Sequence, residues 1–369
     1  MNTRPADVRW MKLALSLGRR GMGRTWPNPA VGCVIVKNGR VMGRGWTQDN
    51  GRPHAETVAL AQAGSQAKGA TAYVTLEPCA HQGKTPPCAE AFVRAGIARV
   101  VTAMTDPDPR VSGKGHGLLR KNGVKVETGC LNKDAGQDHM GFALRTEIGR
   151  PLVTLKLASS FDGRIATASG ESKWITGGQS RRYVHHLRST HDAVMVGAGT
   201  VRADDPGLSL HDAKTTDRPV RVFCDTRLSV DPACRLGRTA RVTPVWVCHG
   251  PDAPETAIKS WQNTGAKLLP CALDQNARLQ ITDVLKTLAQ QGLTRVFCEG
   301  GGQMAASLLQ NGMVDRLIGY TAGLSLGASG MASVGELGIA KLAEHPRFDL
   351  CETRQIGGDV LHIWQRSVA

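Results

Sequence analysis

Residues 54–56 read His-Ala-Glu, and residues 75–88 read Thr-Leu-Glu-Pro-Cys-Ala-His-Gln-Gly-Lys-Thr-Pro-Pro-Cys. The triplet lies at the predicted start of a helix that ends near residue 63. The longer stretch begins in a short apolar strand, residues 72–76, and its last cysteine opens a second predicted helix. Strands that alternate with helices in this way predict an α/β domain, with these polar side chains at the ends of its elements.

One histidine and two cysteines form a ligand set for catalytic zinc, which takes three protein ligands and keeps a fourth position open. Zinc in such a site lowers the pKa of its water to about 7. In zinc deaminases of nucleobases, a glutamate two residues after the histidine is the general acid/base. We therefore predict that His54, Cys79 and Cys88 bind zinc and that Glu56 transfers protons in a hydrolytic deamination.

The spacing of the cysteines leaves a second interpretation open. Eight residues separate Cys79 from Cys88, whereas the common deaminase signature is Pro-Cys-x-x-Cys. A structural zinc site normally recruits a fourth protein ligand. His81 is the candidate for that ligand.

Length and composition exclude several classes of protein. The chain has 369 residues, of which 41% are hydrophobic and 21% charged, which predicts a globular protein of two or three domains. Ten cysteines are too few for a disulfide-stapled scaffold. Because residues 1–25 lack the pattern of a signal peptide and no apolar run approaches 18 residues, we expect a cytoplasmic protein without a membrane span.

The net charge of +15 is unevenly distributed. Residues 1–150 contain 22 basic and 11 acidic side chains, a balance of +11, and the remaining residues contain 24 and 20, a balance of +4. A basic half attracts nucleic acids and phosphorylated small molecules alike. The charge alone does not choose between these partners.

The pattern of elements predicts two α/β domains, residues 1–147 and 148–369. In the first, we expect a helix over 7–18 capped by Asp7, a strand pair over 31–45, and strands over 98–104 and 124–127 with a short helix between them. In the second, short apolar runs predict five buried strands, and three helices separate several of them. They lie at 153–157, 193–196, 220–223, 245–248 and 296–299 (strands) and at 179–189, 281–291 and 304–311 (helices). The Gly/Ser-rich stretch 323–338 is expected to be a mobile surface loop.

Thr75–Cys88, with its long spacer containing Thr-Pro-Pro, resembles the bifunctional riboflavin-biosynthesis deaminase/reductases. Further similar motifs lie in both halves: Pro27–Gly32, Asp106–Pro109, Ser160–Arg164, Ser169–Thr176, Asp204–Pro206 and Glu299–Gly302. The resemblance implies a cytidine-deaminase-like domain followed by a dihydrofolate-reductase-like domain, with Zn²⁺ and NADPH as cofactors. It implies deamination of 2,5-diamino-6-ribosylamino-4(3H)-pyrimidinone 5′-phosphate and then reduction of its ribosyl chain to ribityl.

The same resemblance implies individual roles, beginning with His54, Cys79 and Cys88 as zinc ligands and Glu56 as proton donor. Cofactor contacts are expected at Ala158, Trp174, Thr200, Asp204, Gly301, Gly302, Gln303, Met304, Ala305, Ala306 and Ser307. Substrate contacts are expected at Asn28, Ser172, Arg188, Leu208, His211 and Glu299. His81 and Lys84 are further candidates for contact with the substrate phosphate, with a solvated loop as the alternative.

Several features of the reductase half stand apart from common patterns. No Gly-x-Gly-x-x-Gly fingerprint is present, but Glu299–Gln303 follows a strand and opens a helix, where backbone amides can approach a phosphate. His211 stands where family members often have an arginine for the substrate phosphate, and an imidazole is the weaker anion partner. No catalytic acid for the reduction emerges, although Lys156 and Asp162 are candidates.

Two other functions remain as alternatives. A tRNA-adenosine deaminase with an accessory domain would use the basic first half, but that class has the short cysteine spacing. A nucleic-acid-binding module with structural zinc would bind RNA in a salt-sensitive way and release no ammonia. In the leading interpretation, the protein acts on a small phosphorylated substrate and has neither a nucleic-acid nor a membrane partner. A homo-oligomer is compatible with this interpretation.

Overall fold

The computed structural model describes residues 4–82, 86–109, 111–210, 219–344 and 347–367. The chain forms two compact units, Met1–Gly149 and Arg150–Ala369. The sequence places this division between residues 147 and 148. Each unit is an α/β structure built on its own sheet.

The first unit has a five-stranded sheet in the order β2-β1-β3-β4-β5. β1 pairs antiparallel with β2 and β3, while β3, β4 and β5 are parallel. The elements in the described part of this unit are α1 Pro5–Gly18, β1 Gly32–Lys37, β2 Arg40–Trp46, α2 Ala55–Ala63, β3 Thr71–Val74, α3 Cys88–Arg94, β4 Arg99–Thr102, α4 Lys114–Lys121, β5 Lys125–Thr128 and α5 Asn132–Ile148.

Alternation along the strands buries both faces of this sheet. In β1, Cys33 and Ile35 face a cluster with α2 and α3, whereas Val34 and Val36 face a cluster with α1 and α5. The resulting three layers place the first residues of α2 and α3, and the loop after β3, on the same side of the sheet. This arrangement brings the histidine and cysteine motifs together.

The prediction that Asp7 caps α1 is wrong. The helix begins at Pro5 and Arg4 occupies the N-cap. Asp7 is buried inside the first turn, where it accepts hydrogen bonds from Tyr73 Oη (2.8 Å) and from Arg99 Nη1 and Nη2 (2.9 and 2.7 Å). Burying a carboxylate without a charged or hydrogen-bonding partner costs more free energy than leaving a helix uncapped. The contact with Arg99 and Tyr73 therefore determines the role of Asp7.

The second unit has a nine-stranded sheet in the order β11-β10-β9-β8-β12-β6-β13-β16-β15, in which β16 alone runs against the others, antiparallel to its neighbours β13 and β15, and a two-stranded sheet, β14-β7. Its described elements are β6 Leu152–Ser160, β7 Arg164–Ala166, α6 Gly178–Ser189, β8 Ala193–Gly197, α7 Ala198–Asp204, β9 Val220–Cys224, α8 Arg235–Arg238, β10 Val245–His249, α9 Glu255–Asn263, β11 Lys267–Pro270, α10 Ile281–Gln290, β12 Arg295–Cys298, α11 Gly302–Gln310, β13 Arg316–Ala322, β14 Met331–Ala332, β15 Phe348–Ile356 and β16 Asp359–Arg366.

The five predicted strands of this unit are confirmed as β6, β8, β9, β10 and β12. The stretch 323–338, predicted as a mobile loop, contains β14 and lies against the start of α11. Gly335 N–H donates to Gly302 O (2.9 Å), and Ser333 N–H donates to Gly163 O (3.0 Å). No helix within the described ranges combines the length and the apolar character that crossing a bilayer requires.

Candidate active sites

Three side chains in the first unit converge on one point. His54 Nδ1 lies 3.3 Å from Cys88 Sγ and 3.8 Å from Cys79 Sγ. The ligand atoms of all three residues lie within 4.8 Å of one another. In tetrahedral zinc geometry, bonds of about 2.0 Å to nitrogen and 2.3 Å to sulfur place these atoms roughly 3.5 Å apart. The donor set and its spacing therefore fit a zinc ion.

The group contains three protein ligands among the residues that the structure describes. His81, the candidate fourth ligand of a structural site, is exposed and outside the group. Lys84 lies outside the described residues. Three ligands with a free fourth position are the arrangement of catalytic zinc.

Helix starts position two of the three ligands. His54 is the N-cap residue of α2, and Cys88 is the first residue of α3. The backbone N–H of Cys88 donates to Cys79 Sγ (3.4 Å), and Ala89 N–H donates to Cys79 O (3.1 Å). The start of α3 thus fixes the loop that carries Cys79.

The sulfur of Cys79 is prepared to carry negative charge. Hydrogen bonds from Cys88 and His54 lower the pKa of the Cys79 thiol to about 4, against the opposing effect of burial. The hydrogen bond with Cys79, together with burial, raises the pKa of Cys88. A thiolate is the form that binds zinc, so the lowered pKa of Cys79 favours its role as a ligand.

Glu56 lies in the first turn of α2 and is buried. Burial is the main cause that raises the pKa of its carboxyl to about 7, and the nearby Cys79 acts in the same direction, whereas His54 opposes them. A carboxyl with a pKa near the working pH can both accept and return a proton. The structure therefore places such a group beside the three ligands.

The side chain of Asn28 packs tightly against the loop that precedes His54. Its side-chain amide donates to Gly51 O (3.2 Å). Gly51 has φ +80°, and a Cβ there would lie 2.0 Å from Asn28 Nδ2. The amide nitrogen of Asn28 therefore orders this turn, and a substrate contact by Asn28 stays a prediction.

Sequence reasoning assigned no role to Glu77, which the structure buries two residues before Cys79. Its carboxylate accepts the backbone N–H groups of Asp106, Gly113 and His116. A charged residue at the end of an apolar strand was the available signal, because charged groups are almost never fully buried unless they have partners.

In the second unit, Arg188 near the end of α6 meets Glu299, the residue that follows β12. Arg188 Nε and Nη2 donate to Glu299 Oε1 and Oε2 (2.5 and 3.0 Å). Burial raises the pKa of Glu299, but the Arg188 and Lys156 charges outweigh it and leave that pKa below its usual value. Burial, together with the charge of Arg188, lowers the pKa of Lys156, although the charge of Glu299 acts in the opposite direction. Lys156 is therefore a cation that can release a proton more readily than a solvated lysine.

Asp162, the other candidate proton donor, is held as an anion. It accepts a hydrogen bond from Ser160 Oγ (2.5 Å) and others from the N–H groups of Leu326 and Gly327. These bonds, that of Ser160 first, lower its pKa to about 2. A group ionised at neutral pH cannot serve as a general acid, so Lys156 is the better candidate.

Several predicted cofactor residues come together at the carboxyl ends of β8 and β12. A Cβ at Gly301 would lie 3.8 Å from Thr200 Oγ1, and a Cβ at Gly197 would lie 3.7 Å from the end of Met304. The nine-residue helix α11 begins at Gly302, and its first amides have no helical partner. Accessible backbone at a helix N-terminus fits the phosphates of a dinucleotide.

The other predicted reductase residues differ in their exposure, and not all of their side chains can contact a ligand. Lys173 Nζ lies 4.0 Å from Asp204 Oδ1, and the guanidinium of Arg181 lies over the exposed ring of Trp174 at 4.2 Å. By contrast, the side chains of Ala305 and Ala306 are buried, so any contact from them is through backbone. The remaining predicted residues are Leu208, which is buried, and Ala158, Ser172, Gln303 and Ser307, which are at least partly accessible. His211 lies outside the described residues.

Comparisons with known proteins match both units. Residues 5–104 match the cytidine and deoxycytidylate deaminase zinc-binding region, and residues 151–362 match the RibD C-terminal domain. The riboflavin biosynthesis protein RibD of Escherichia coli is 40% identical over 370 residues, covering 97% of this chain and 99% of that protein. RibD of Aquifex aeolicus is 38% identical, covering 98% and 99%.

Solved structures are similar over the same length. Acinetobacter baumannii RibD has a TM-score of 0.86 at 39% identity and covers 98% of this chain and 99% of its own. A deaminase/reductase from Thermotoga maritima has a TM-score of 0.85 at 32% identity, with the same coverage.

The fold and the two sites define an enzyme that joins a zinc deaminase domain of the cytidine-deaminase type to a dihydrofolate-reductase-like domain. The nearly full-length similarity then specifies which one. The chain belongs to the RibD family of bifunctional deaminase/reductases of riboflavin biosynthesis, whose cofactors are zinc and NADPH. The resemblance drawn from the sequence is confirmed.

Proposed function

We propose that the first unit deaminates 2,5-diamino-6-ribosylamino-4(3H)-pyrimidinone 5′-phosphate and that the second reduces the product with NADPH. The observation that carries the proposal is the convergence of His54, Cys79 and Cys88 within 4.8 Å next to the buried carboxyl of Glu56. We assign the deaminase to residues 1–147 and the reductase to residues 148–369.

In the deaminase, His54 Nδ1 and the two cysteine sulfurs would hold the metal. Zinc, when bound, supplies the Lewis acidity that makes water nucleophilic near neutral pH. Glu56 accepts one proton as water adds to the amino-bearing ring carbon and gives it to the ring nitrogen; it then accepts the remaining proton of the added hydroxyl and gives it to the amino group, which departs as ammonia. The burial of Glu56 supports this role, because it raises the pKa of the carboxyl to about 7, where the group can both accept and donate a proton.

In the reductase, NADPH supplies the hydride that converts the ribosyl C1′ to the ribityl carbon. Thr200, Gly301 and the start of α11 would hold the dinucleotide, as their proximity supports. Trp174 and Asp204 would flank it. Arg188 and Glu299 would orient the pyrimidine, and the lowered pKa of Lys156 supports it as the proton source for the opened ribose ring.

We further propose that the enzyme is cytoplasmic and acts on this small phosphorylated substrate without a nucleic-acid or membrane partner. A homo-oligomer is compatible with it. Tight, salt-sensitive binding of RNA would contradict this part of the proposal.

The direct test supplies the pyrimidine phosphate and NADPH to the zinc-loaded full chain. Ammonia release and loss of NADPH absorbance are followed in the same sample, and we expect one equivalent of each per substrate. Omission of NADPH should leave ammonia release intact. RNA binding with neither signal would contradict the proposed function.

A further inference from the structure

A buried carboxylate lies two residues before a proposed zinc ligand. Glu77 is 3% exposed as a residue, and its Oε1 accepts the N–H of His116 (3.0 Å). Oε2 accepts the N–H of Gly113 (2.9 Å) and of Asp106 (3.3 Å). His116 Nδ1 lies 3.6 Å from Oε2. One side chain therefore binds the segment from Asp106 to His116 to the chain that leads into Cys79.

The same segment also contacts this chain through its backbone. A Cβ at Gly115 would lie 1.9 Å from Pro78 O, so α4 packs directly on the carbonyl that precedes Cys79 and leaves no space for a side chain there. On the other side of Cys79, the N–H groups of Cys88 and Ala89 bind its sulfur and its carbonyl. Cys79 is therefore held between α3 and α4.

We propose that Glu77 and Gly115 form a clamp that positions Cys79 Sγ for zinc, which makes Glu77 a positioning residue of the deaminase. The inference rests on the proposed ligand set of His54, Cys79 and Cys88. Three backbone N–H groups that share one carboxylate lose their common acceptor when it is replaced. The segment after residue 105 then separates from Pro78, and the sulfur of Cys79 loses its fixed position relative to the other two ligands.

Three variants of the full chain test the clamp. Glu77→Gln turns an amide N–H toward groups that are themselves donors. Gly115→Ala keeps the carboxylate as an acceptor but pushes Pro78 O away and crowds Glu77 Cγ, which would lie 3.2 Å from the new Cβ. Gly117→Ala is the matched control, because Gly117 lies on the same helix α4 and a Cβ there meets nothing within 4 Å.

Zinc retention against a chelator and the visible absorption of the Co²⁺-loaded protein are the readouts. We expect Glu77→Gln and Gly115→Ala to bind zinc about tenfold more weakly, as is typical when groups that orient metal ligands are lost. Their Co²⁺ absorption should differ from that of the unmodified chain, and reduction of the deaminated pyrimidine should not change. Gly117→Ala should match the unmodified chain throughout.

Unchanged zinc affinity and Co²⁺ absorption in both variants, whatever their thermal stability, would overturn the clamp and leave the ligand set standing. An unmodified chain that retains no zinc would instead overturn the ligand set. Should the variants not fold, hydrogen exchange of the unmodified chain decides, because coupling between zinc and clamp is reciprocal. Removal of zinc should then speed exchange at Gly113 and His116, and equal rates would refute the clamp.

Discussion

Arg188 in α6 holds the carboxylate of Glu299 through two hydrogen bonds, although 111 positions separate them along the chain. Both side chains are mostly buried, at 15% and 11% exposure. A third N–H of Arg188 donates to Ser209 O (3.1 Å). Removing either partner of a buried ion pair leaves the other charge without compensation. We therefore expect the two side chains to hold each other in place and to orient a substrate together.

Replacement of Arg188 by alanine is expected to impair reduction and spare deamination. The change removes charge-assisted hydrogen bonds worth about 2 kcal/mol, which corresponds to roughly a 30-fold loss of reductive turnover. Arg182→Ala, an exposed position on the same helix, is the control and should retain both activities. Separate assays of ammonia and NADPH measure the effect, and equal loss of both activities would argue against two independent sites.

Replacement of Glu56 by glutamine is expected to lower ammonia release by at least about 100-fold, because general acid–base catalysis contributes that much or more. Zinc should stay bound at one equivalent, since Glu56 is not a member of the ligand group. Glu90→Gln, an exposed carboxyl on α3 close to Cys88, is the control. Loss of metal from the Glu56 variant would show that Glu56 is a ligand or a structural support.

Replacement of Asp162 by alanine is expected to raise the KM for NADPH about fivefold with a smaller change in kcat. Asp162 binds the N–H groups of Leu326 and Gly327. The same loop continues to Gly335, which donates to Gly302 at the start of α11, so release of the loop loosens the proposed phosphate site. Asp349→Asn on the exposed strand β15 serves as control, and an unchanged KM would separate the loop from the cofactor.

The stability of the reductase unit is expected to fall as the pH drops below about 6.5. Burial, reinforced by the charge of Arg295, lowers the pKa of His191 to about 3, whereas an unfolded histidine has a pKa of about 6.5. Between these values the unfolded chain binds a proton that the folded chain does not. The contribution is therefore complete above pH 6.5 and is lost toward pH 3, by up to about 1.4 kcal/mol per pH unit.

Urea unfolding at several pH values measures this loss. Thr154 Oγ1 donates to Nε2 of His191 (2.9 Å), and Nδ1–H donates to Leu187 O (2.8 Å), so the neutral ring is fully used. His191→Gln should reduce the dependence on pH, and His186→Gln, at an exposed position of α6, should not. The same slope in all three proteins would exclude His191 as its origin.

The elements that sequence reasoning found have strong local patterns. The strand pair over residues 31–45 consists of two apolar runs joined by the turn-like Lys37–Arg40, and His54 stands at the start of α2 as expected. The 17-residue helix α5 was missed, because its buried positions are Ala135, His139 and Gly141 rather than large apolar residues at helical spacing. The strand β15 was also missed, since almost all of its residues are exposed and several are charged, which removes the apolar alternation of a strand.

The candidate zinc group could be predicted because its chemistry depends on residue types at short separations, and the structure brings those residues together. The Arg188–Glu299 pair was expected as two separate substrate contacts, but nothing in the sequence indicated that the two side chains bind each other. Glu77 was overlooked because its partners, from Asp106 to His116, are backbone groups, which carry no residue-specific signal.

By itself, the sequence determined the two α/β domains, the metal-binding residue types and the family, since periodicity and motif spacing are local properties that survive without coordinates. Tertiary structure alone decided that Asp7 is an ion-pair partner rather than a cap, that Asp162 binds the N–H groups of Leu326 and Gly327, and that Cys79 is held between two helices. The physical reason is that burial and long-range hydrogen bonds determine the charge and position of a side chain. Both arise only when distant segments pack together.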